Sequence, residues 1–136
     1  MSKCRYFLDA NVIISGLLWK GNERKLLDLG EEGKIALMTS VYVLKEVEDV
    51  LVEMKFDENK VDEFLIYLRS FTEMKDASIE DVNKLWDALK DKGDVPVLAA
   101  AIKSKGTLVT GDKELLLKGV KFLKVKNAKQ VLASKG

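Results

Sequence analysis

An α/β fold, with a parallel sheet layered between helices, is what this chain predicts. Short apolar runs alternate with longer stretches whose apolar residues recur at helical spacing. No repeat, low-complexity tract or linker interrupts that alternation. Two of the runs end in an aspartate, Asp9 and Asp112, where a helical pattern takes over, and the carboxyl ends of strands in open parallel sheets are where ligands bind. With 136 residues, 47% of them apolar, the chain can build one core, so residues 1–136 are read as a single domain.

The elements follow in order. Arg5 to Leu8 reads as the first strand, and Asn11 to Trp19 as a helix with Val12, Ile13 and Leu17 on one side and Gly16 permitting close approach. After a turn at Lys20-Gly21-Asn22, Glu23 to Glu31 is helical around Leu26, Leu27 and Leu29, and stops near Gly30 and Gly33. Ile35 to Met38 is the second strand. Thr39-Ser40 then offers an N-cap to a helix running to about Met54, with a core stripe of Val43, Leu44, Val47, Val50 and Leu51. Glu46 falls on or beside that stripe, so a partner is expected for it. A break at Phe56-Asp57 precedes an amphipathic helix from Asn59 to Ser70, and Phe71 to Lys75 reads as extended. Ser78 caps a short helix carrying Val82, Leu85, Trp86 and Leu89. Lys90 to Gly93 is a loop, and Asp94 caps a helix from Val95 to Ser104, apolar nearly all round and therefore buried, with Pro96 tolerated in its first turn. Thr107 to Val109 is a strand, Lys113 to Lys118 a short helix, Phe122 to Val125 the last strand and Ala128 to Ser134 the terminal helix. Gly106 and Gly119 suit helix exits.

Composition excludes several chemistries. The chain has no histidine and one cysteine, which removes Ser-His-Asp and Cys-His catalysis, histidine bases, disulfides and Cys/His zinc sites. Cys4, ahead of a strand, reads as a small buried thiol. What remains for chemistry is carboxylates, hydroxyls, amides, lysine and arginine, a set suited to hard oxygen-ligated cations such as Mg²⁺ or Mn²⁺. Lys plus Arg, at 23, nearly cancels Asp plus Glu, at 22, so any grip on a polyanion must be local. No run reaches the length of a membrane span; Phe7 to Trp19 is apolar, but Asp9 and Asn11 interrupt it and no small-residue cleavage site follows, so cytoplasmic residence is expected.

Four acids stand out: Asp9, Glu46, Asp94 and Asp112. Each has an ordinary explanation. Aspartates routinely cap helices, at a gain of about 1 kcal/mol, and a helical glutamate is commonly solvated. Capping alone does not require them to converge, yet Asp9, Asp94 and Asp112 lie on one expected edge of the sheet and Glu46 on a helix that can pass over it. Nor does it account for Asn11, Ser15 and Thr110 alongside, short polar residues fit to hold a carboxylate, water or phosphate. Asp91 is a loop acid close enough in sequence to belong to the group. Lys20, Arg24, Lys25 and Lys113 are candidate contacts for a phosphate backbone, with solubility as the plainer role. Trp19 reads as a core or dimer contact, with base stacking the less common alternative.

Leu8-Asp9-Ala10-Asn11-Val12-Ile13-Ile14-Ser15-Gly16, Glu46, Asp91-Lys92-Gly93-Asp94-Val95-Pro96 and Val109-Thr110-Gly111-Asp112, in that order over almost the whole chain, resemble the PIN-domain ribonucleases, most closely the VapC-like toxins of prokaryotic toxin-antitoxin pairs. The resemblance implies a three-layer α/β/α sandwich around a parallel sheet of about five strands. It also implies an acidic quartet of Asp9, Glu46, Asp94 and Asp112 that binds Mg²⁺ or Mn²⁺ and cuts RNA, with Asn11 and Thr110 in support. A homodimer and a cognate antitoxin covering the crevice are implied as partners. The expected chemistry is metal-dependent phosphodiester hydrolysis, in which the cation offsets charge on the phosphoryl oxygens and reverses the field of the acids.

Other readings compete. Strand-end aspartates also serve phosphoacceptors and phosphatases, but Asn11 stands where such phosphatases place a second aspartate, and Ala10 follows Asp9 where receiver domains pair acids. A non-catalytic metal- or RNA-binding interaction module and a housekeeping RNA-processing nuclease use the same residues.

Overall fold

The computed structural model describes residues 3–135. Five strands form one sheet, β1 (Arg5–Leu8), β2 (Ala36–Thr39), β3 (Thr72–Met74), β4 (Thr107–Val109) and β5 (Val125–Lys126), in the order β3-β2-β1-β4-β5. Every pairing is parallel. The helices are α1 (Ala10–Leu18), α2 (Asn22–Glu31), α3 (Val41–Glu53), α4 (Glu58–Arg69), α5 (Ile79–Lys84), α6 (Val95–Ser104), α7 (Lys113–Lys118) and α8 (Ala128–Lys135). The predicted alternation of strand and helix therefore holds, as does the expectation of about five parallel strands.

The order places β1 at the centre with β4 beside it, so Phe7 and Leu8 are fully buried, as are Leu108 and Val109. Leu8 is level with Val109 across the ladder, which sets the next residues, Asp9 and Thr110, side by side at the exit end. Crossover helices need a wholly apolar seat on such a sheet. Helix α6 supplies one, burying Val95, Val97, Leu98, Ala99, Ala100 and Ala101 as its composition predicts. Gly16 supplies another device: a Cβ there would stand 2.6 Å from Leu27 Cδ1, and Leu27 is fully buried. Gly16→Val is expected to cost about 2 kcal/mol or more through overpacking, read as a lowered midpoint in denaturant unfolding with unchanged slope.

Several local expectations are corrected. Phe122 is not in a strand; it closes a 3-10 turn at Gly119–Lys121 and stands half-exposed, and β5 begins only at Val125. The helix through Trp86 is shorter than its apolar spacing suggested: α5 ends at Lys84 and a 3-10 turn spans Trp86–Ala88, leaving Leu89 buried and Trp86 exposed. Helix α2 continues through Gly30 to Glu31, and it is Gly33, at φ 77°, that takes the left-handed conformation. Gly106 is not the left-handed exit of α6 either, because Lys105 adopts that conformation at φ 61°. Cys4 is exposed rather than buried, since it lies one residue before β1 begins. Trp19 is exposed too, which removes the core role suggested for it. Arg24 is already engaged, its guanidinium donating to the carbonyls of Gly16 and Leu17 at the end of α1.

Candidate functional site

The exit ends of β1 and β4 are tied together through Asp9. One of its carboxylate oxygens accepts from the Val12 amide at 3.0 Å, capping α1, and the other accepts from the Thr110 hydroxyl. The Thr110 oxygen in turn accepts from the Asp112 amide at 3.0 Å. Asp112 caps α7 by accepting from the Leu115 amide at 2.9 Å. So the capping reading holds for both Asp9 and Asp112. Asp9 and Thr110 are buried, and a carboxylate there loses hydration that hydrogen bonds only partly replace. Burial accordingly raises the Asp9 carboxyl above its ordinary value, Thr110 and the Val12 amide oppose the rise, and Asp112 adds to it.

Thr110→Val, nearly isosteric, strips one partner from Asp9 and one from the Asp112 amide. With Thr110 fully buried, the expected cost is about 1–3 kcal/mol, read as a lower melting temperature that Thr110→Ser restores.

Asp94 differs from the other two aspartates. It occupies the N-cap position of α6, but its side chain makes no capping hydrogen bond, contrary to expectation, because the preceding Lys92–Asp94 turn places it in a helical conformation at φ −89°, ψ −10°. Burial, then Asp91, Asp112, Glu46 and Asp9, push its carboxyl up to about 7. All four acids act on Asp94 in the same direction, and two of them, Glu46 and Asp91, line one crevice with it. Glu46 stands at the rim of this crevice. Its helix buries Val43, Val47 and Leu51, while Glu46 itself is exposed, further out than a place beside the stripe implied, and no cationic partner pairs with it among the described residues. Partial burial, then Asp9, Asp91 and Asp49, still raise its carboxyl.

A crevice of about 360 Å³ opens between α3 and the loop before α6, lined by Tyr42, Lys45, Glu46, Asp91, Gly93 and Asp94, with Asp49 at its edge. Lys45, the one cation of that lining among the described residues, is paired with Glu48 at 3.3 Å and Asp49 at 3.1 Å. Asp91 is exposed and holds the turn in shape, accepting from the Gly93 amide at 2.9 Å. Asn11 is exposed and Ser15 half-buried, one turn apart on α1.

Two residues of the site were not singled out in the sequence. The Tyr42 hydroxyl donates to the Gly93 carbonyl at 2.8 Å and joins α3 to the acid-bearing loop. Burial, then Glu46, Asp94 and Asp91, raise its phenol. Glu114, on α7, accepts from the amides of Lys90 at 2.6 Å and Asp91 at 3.1 Å and pairs with Lys118 at 2.9 Å. These bonds, the Lys90 amide foremost, bring its carboxyl down to about 2. A glutamate at the second position of a helix carries no mark of partners 24 and 23 residues earlier, so only its i, i+4 spacing to Lys118 was legible.

The donor set fits a hard divalent cation by chemistry and charge: carboxylates and hydroxyls, an excess of negative charge, and no free ammonium in the crevice lining among the described residues. As they stand, no three carboxylates among the described residues converge on a common point within ligating range. Among the described residues no helix is long and apolar enough to cross a membrane.

Comparison with known proteins adds an independent finding. The family model described as the PIN domain matches residues 5–114. The uncharacterized protein MJ1680 of Methanocaldococcus jannaschii is 33% identical over 133 residues, covering 92% of this chain and 83% of that protein. Among solved structures, a chain of VapBC2 from Rickettsia felis, crystallised with a DNA fragment from their promoter, superposes with a TM-score of 0.69 at 20% identity, over 90% of this chain and 98% of that one. A chain of FitAB bound to the IR36 DNA fragment gives 0.64 at 16% identity, over 90% and 94%. At such identities the two structures speak for the fold.

Proposed function

The chain belongs to the PIN domain family, whose members are generally nucleases, and on that premise we propose that it is a Mg²⁺- or Mn²⁺-dependent endoribonuclease. The observation that carries the reading is the acidic crevice: Glu46, Asp91 and Asp94 line it, its lysine, Lys45, is already paired, and the Asp9–Thr110–Asp112 hydrogen bonds hold two further acids at the strand exits of a sheet built to present ligands there. In this reading Asp9, Glu46, Asp94 and Asp112 hold the ion, Asp91 stands at the rim, and Asn11, Ser15 and Thr110 orient carboxylates, water or phosphate.

The residues act mainly by position. Thr110 fixes the rotamer of Asp9 and, through the Asp112 amide, ties the two strand ends to one geometry. Tyr42 and Glu114 brace the loop that carries Asp91 and Asp94. A divalent cation, when bound, supplies Lewis acidity and offsets the charge on the phosphoryl oxygens. Water then adds at phosphorus, the bond to the leaving sugar oxygen breaks, and one proton passes from the water to that oxygen.

We also assign the chain to the toxin side of a toxin-antitoxin pair. Support comes from its fold likeness to chains of VapBC2 and FitAB, both seen as assemblies on DNA. A cognate antitoxin covering the crevice and a homodimer belong to the same proposal, and Ile66 of α4, 70% exposed, together with Trp86, offers apolar contact for either. The deciding assay is cleavage of single-stranded RNA by purified protein with Mg²⁺ or Mn²⁺, with EDTA as control. Metal-dependent cleavage supports the reading, and RNA left intact under both ions overturns it.

A further inference from the structure

A cavity of about 720 Å³ lies away from the acidic crevice and shares no lining residue with it. It opens at the entry ends of β1 and β4 and runs along the edge strand β5. Five cations line it, Lys3, Arg5, Lys105, Lys124 and Lys126, and among the described residues no aspartate or glutamate does. In a chain of net charge +1 this is a strong local segregation. Arg5 is partly committed, donating to the Ser104 carbonyl at 3.4 Å and standing 3.8 Å from Glu73. Lys105, Lys124 and Lys126 have no ion pair among the described residues, so their charges stay available to a ligand.

Like charges gathered in a concavity raise each other's energy and focus a field that only an anion relieves. The cations follow the edge of the sheet: Lys126 lies on β5, level with Val109 near the exit end of β4, and Lys124 stands just ahead of that strand, its carbonyl accepting from the Leu108 amide at 2.9 Å. Phe122, half-exposed, forms part of the same wall. A row of cations with an open aromatic face beside it is the arrangement that holds single-stranded nucleic acid, phosphates on the lysines and a base on the ring.

We propose that this cavity binds a single-stranded RNA segment, with Lys105, Lys124 and Lys126 on its backbone and Phe122 stacked on a base. The binding itself does not need the acidic crevice; that the bound strand is also the one cut rests on the nuclease proposal above.

The test is fluorescence anisotropy with a labelled short single-stranded RNA in EDTA, so that metal and cleavage play no part. Wild type is expected to bind under these conditions. Lys105→Glu/Lys124→Glu should weaken binding by about tenfold or more and flatten its salt dependence by about one unit of slope per lysine. Phe122→Ala should weaken it by about fivefold or more. If the double glutamate variant fails to fold, Lys105→Gln/Lys124→Gln carries the same test, with loss of binding again expected. Unchanged affinity in the lysine variants overturns the proposal. So does duplex RNA binding as tightly as the single strand, or displacement by AMP or pyrophosphate as effective per phosphate as by RNA, which would mark a small-anion site. Failure of cleavage with binding intact would instead count against the nuclease reading alone.

Discussion

Asp9→Asn and Asp112→Asn each lower metal-dependent RNA cleavage by on the order of 100-fold or more, the scale reached when a group that positions or offsets transition-state charge is removed, while the protein stays folded. The fold is expected to survive because asparagine caps helices about as well as aspartate. The Val12 and Leu115 amides therefore keep their acceptors. At Asp9 the Thr110 hydroxyl must turn to accept rather than donate, a local reversal, and the change also removes a charge that burial disfavours. Activity falls for another reason. Each variant takes one negative charge from the set proposed to hold the ion, and a hard cation depends on that charge. The measurements are initial rates with Mn²⁺ and with Mg²⁺, beside circular dichroism of each variant. Folded variants with wild-type rates, or cleavage that persists in EDTA, would dispose of the carboxylate-metal mechanism. Stable phosphorylation of Asp9 by a small phosphodonor would move the protein to the phosphoacceptor class instead.

What could be read ahead of the coordinates was what rests on local periodicity. The apolar runs at Arg5 to Leu8 and Thr107 to Val109, the buried Val95 to Ser104 helix and the Ser40 and Ser78 caps all appear where their spacing placed them. Asp9 and Asp112 were legible for the same reason, because a strand that ends in an acid and opens a helix points that acid at the sheet's exit edge. Properties that depend on distant partners were not. Nothing near Glu114 signals the amides of Lys90 and Asp91, nothing near Tyr42 signals Gly93, and Arg24 looked available until two carbonyls of α1 were seen to hold it. Phe122 misled because an apolar residue before a strand extends the pattern whether or not it is buried. Glu46 shows the limit of helical spacing: one position of drift around α3 separates a residue facing the sheet from one facing solvent.

The second large effect sets stability against function at one atom group. Asp94→Asn should make the metal-free protein more stable near neutral pH while weakening its response to metal. The Asp94 carboxyl titrates at about 7 in the folded protein and at its ordinary 3.8 when exposed. Between those values the native state holds a proton that the unfolded chain has released, so stability falls as pH rises from about 4 to about 7 and then levels. Below pH 4 both states are protonated and the variant gains nothing; above 7 the gain is complete. Asp94 is only partly buried, so solvent screening reduces the nominal effect to about 1–2 kcal/mol, or roughly 4–8 °C in melting temperature. A divalent cation reverses the balance, because it stabilises the ionised form and displaces the proton. Added Mn²⁺ is therefore expected to raise the melting temperature of wild type more at pH 8 than at pH 5, and to do much less for Asp94→Asn at either pH. Thermal melts across pH 4–8, with and without Mn²⁺, read all of these quantities. A variant no more stable than wild type at pH 8, or a difference that does not change with pH, would mean that Asp94 is not strained by its neighbours. The crowding of acids around α6 would then be a feature of the surface, with no bearing on a cation.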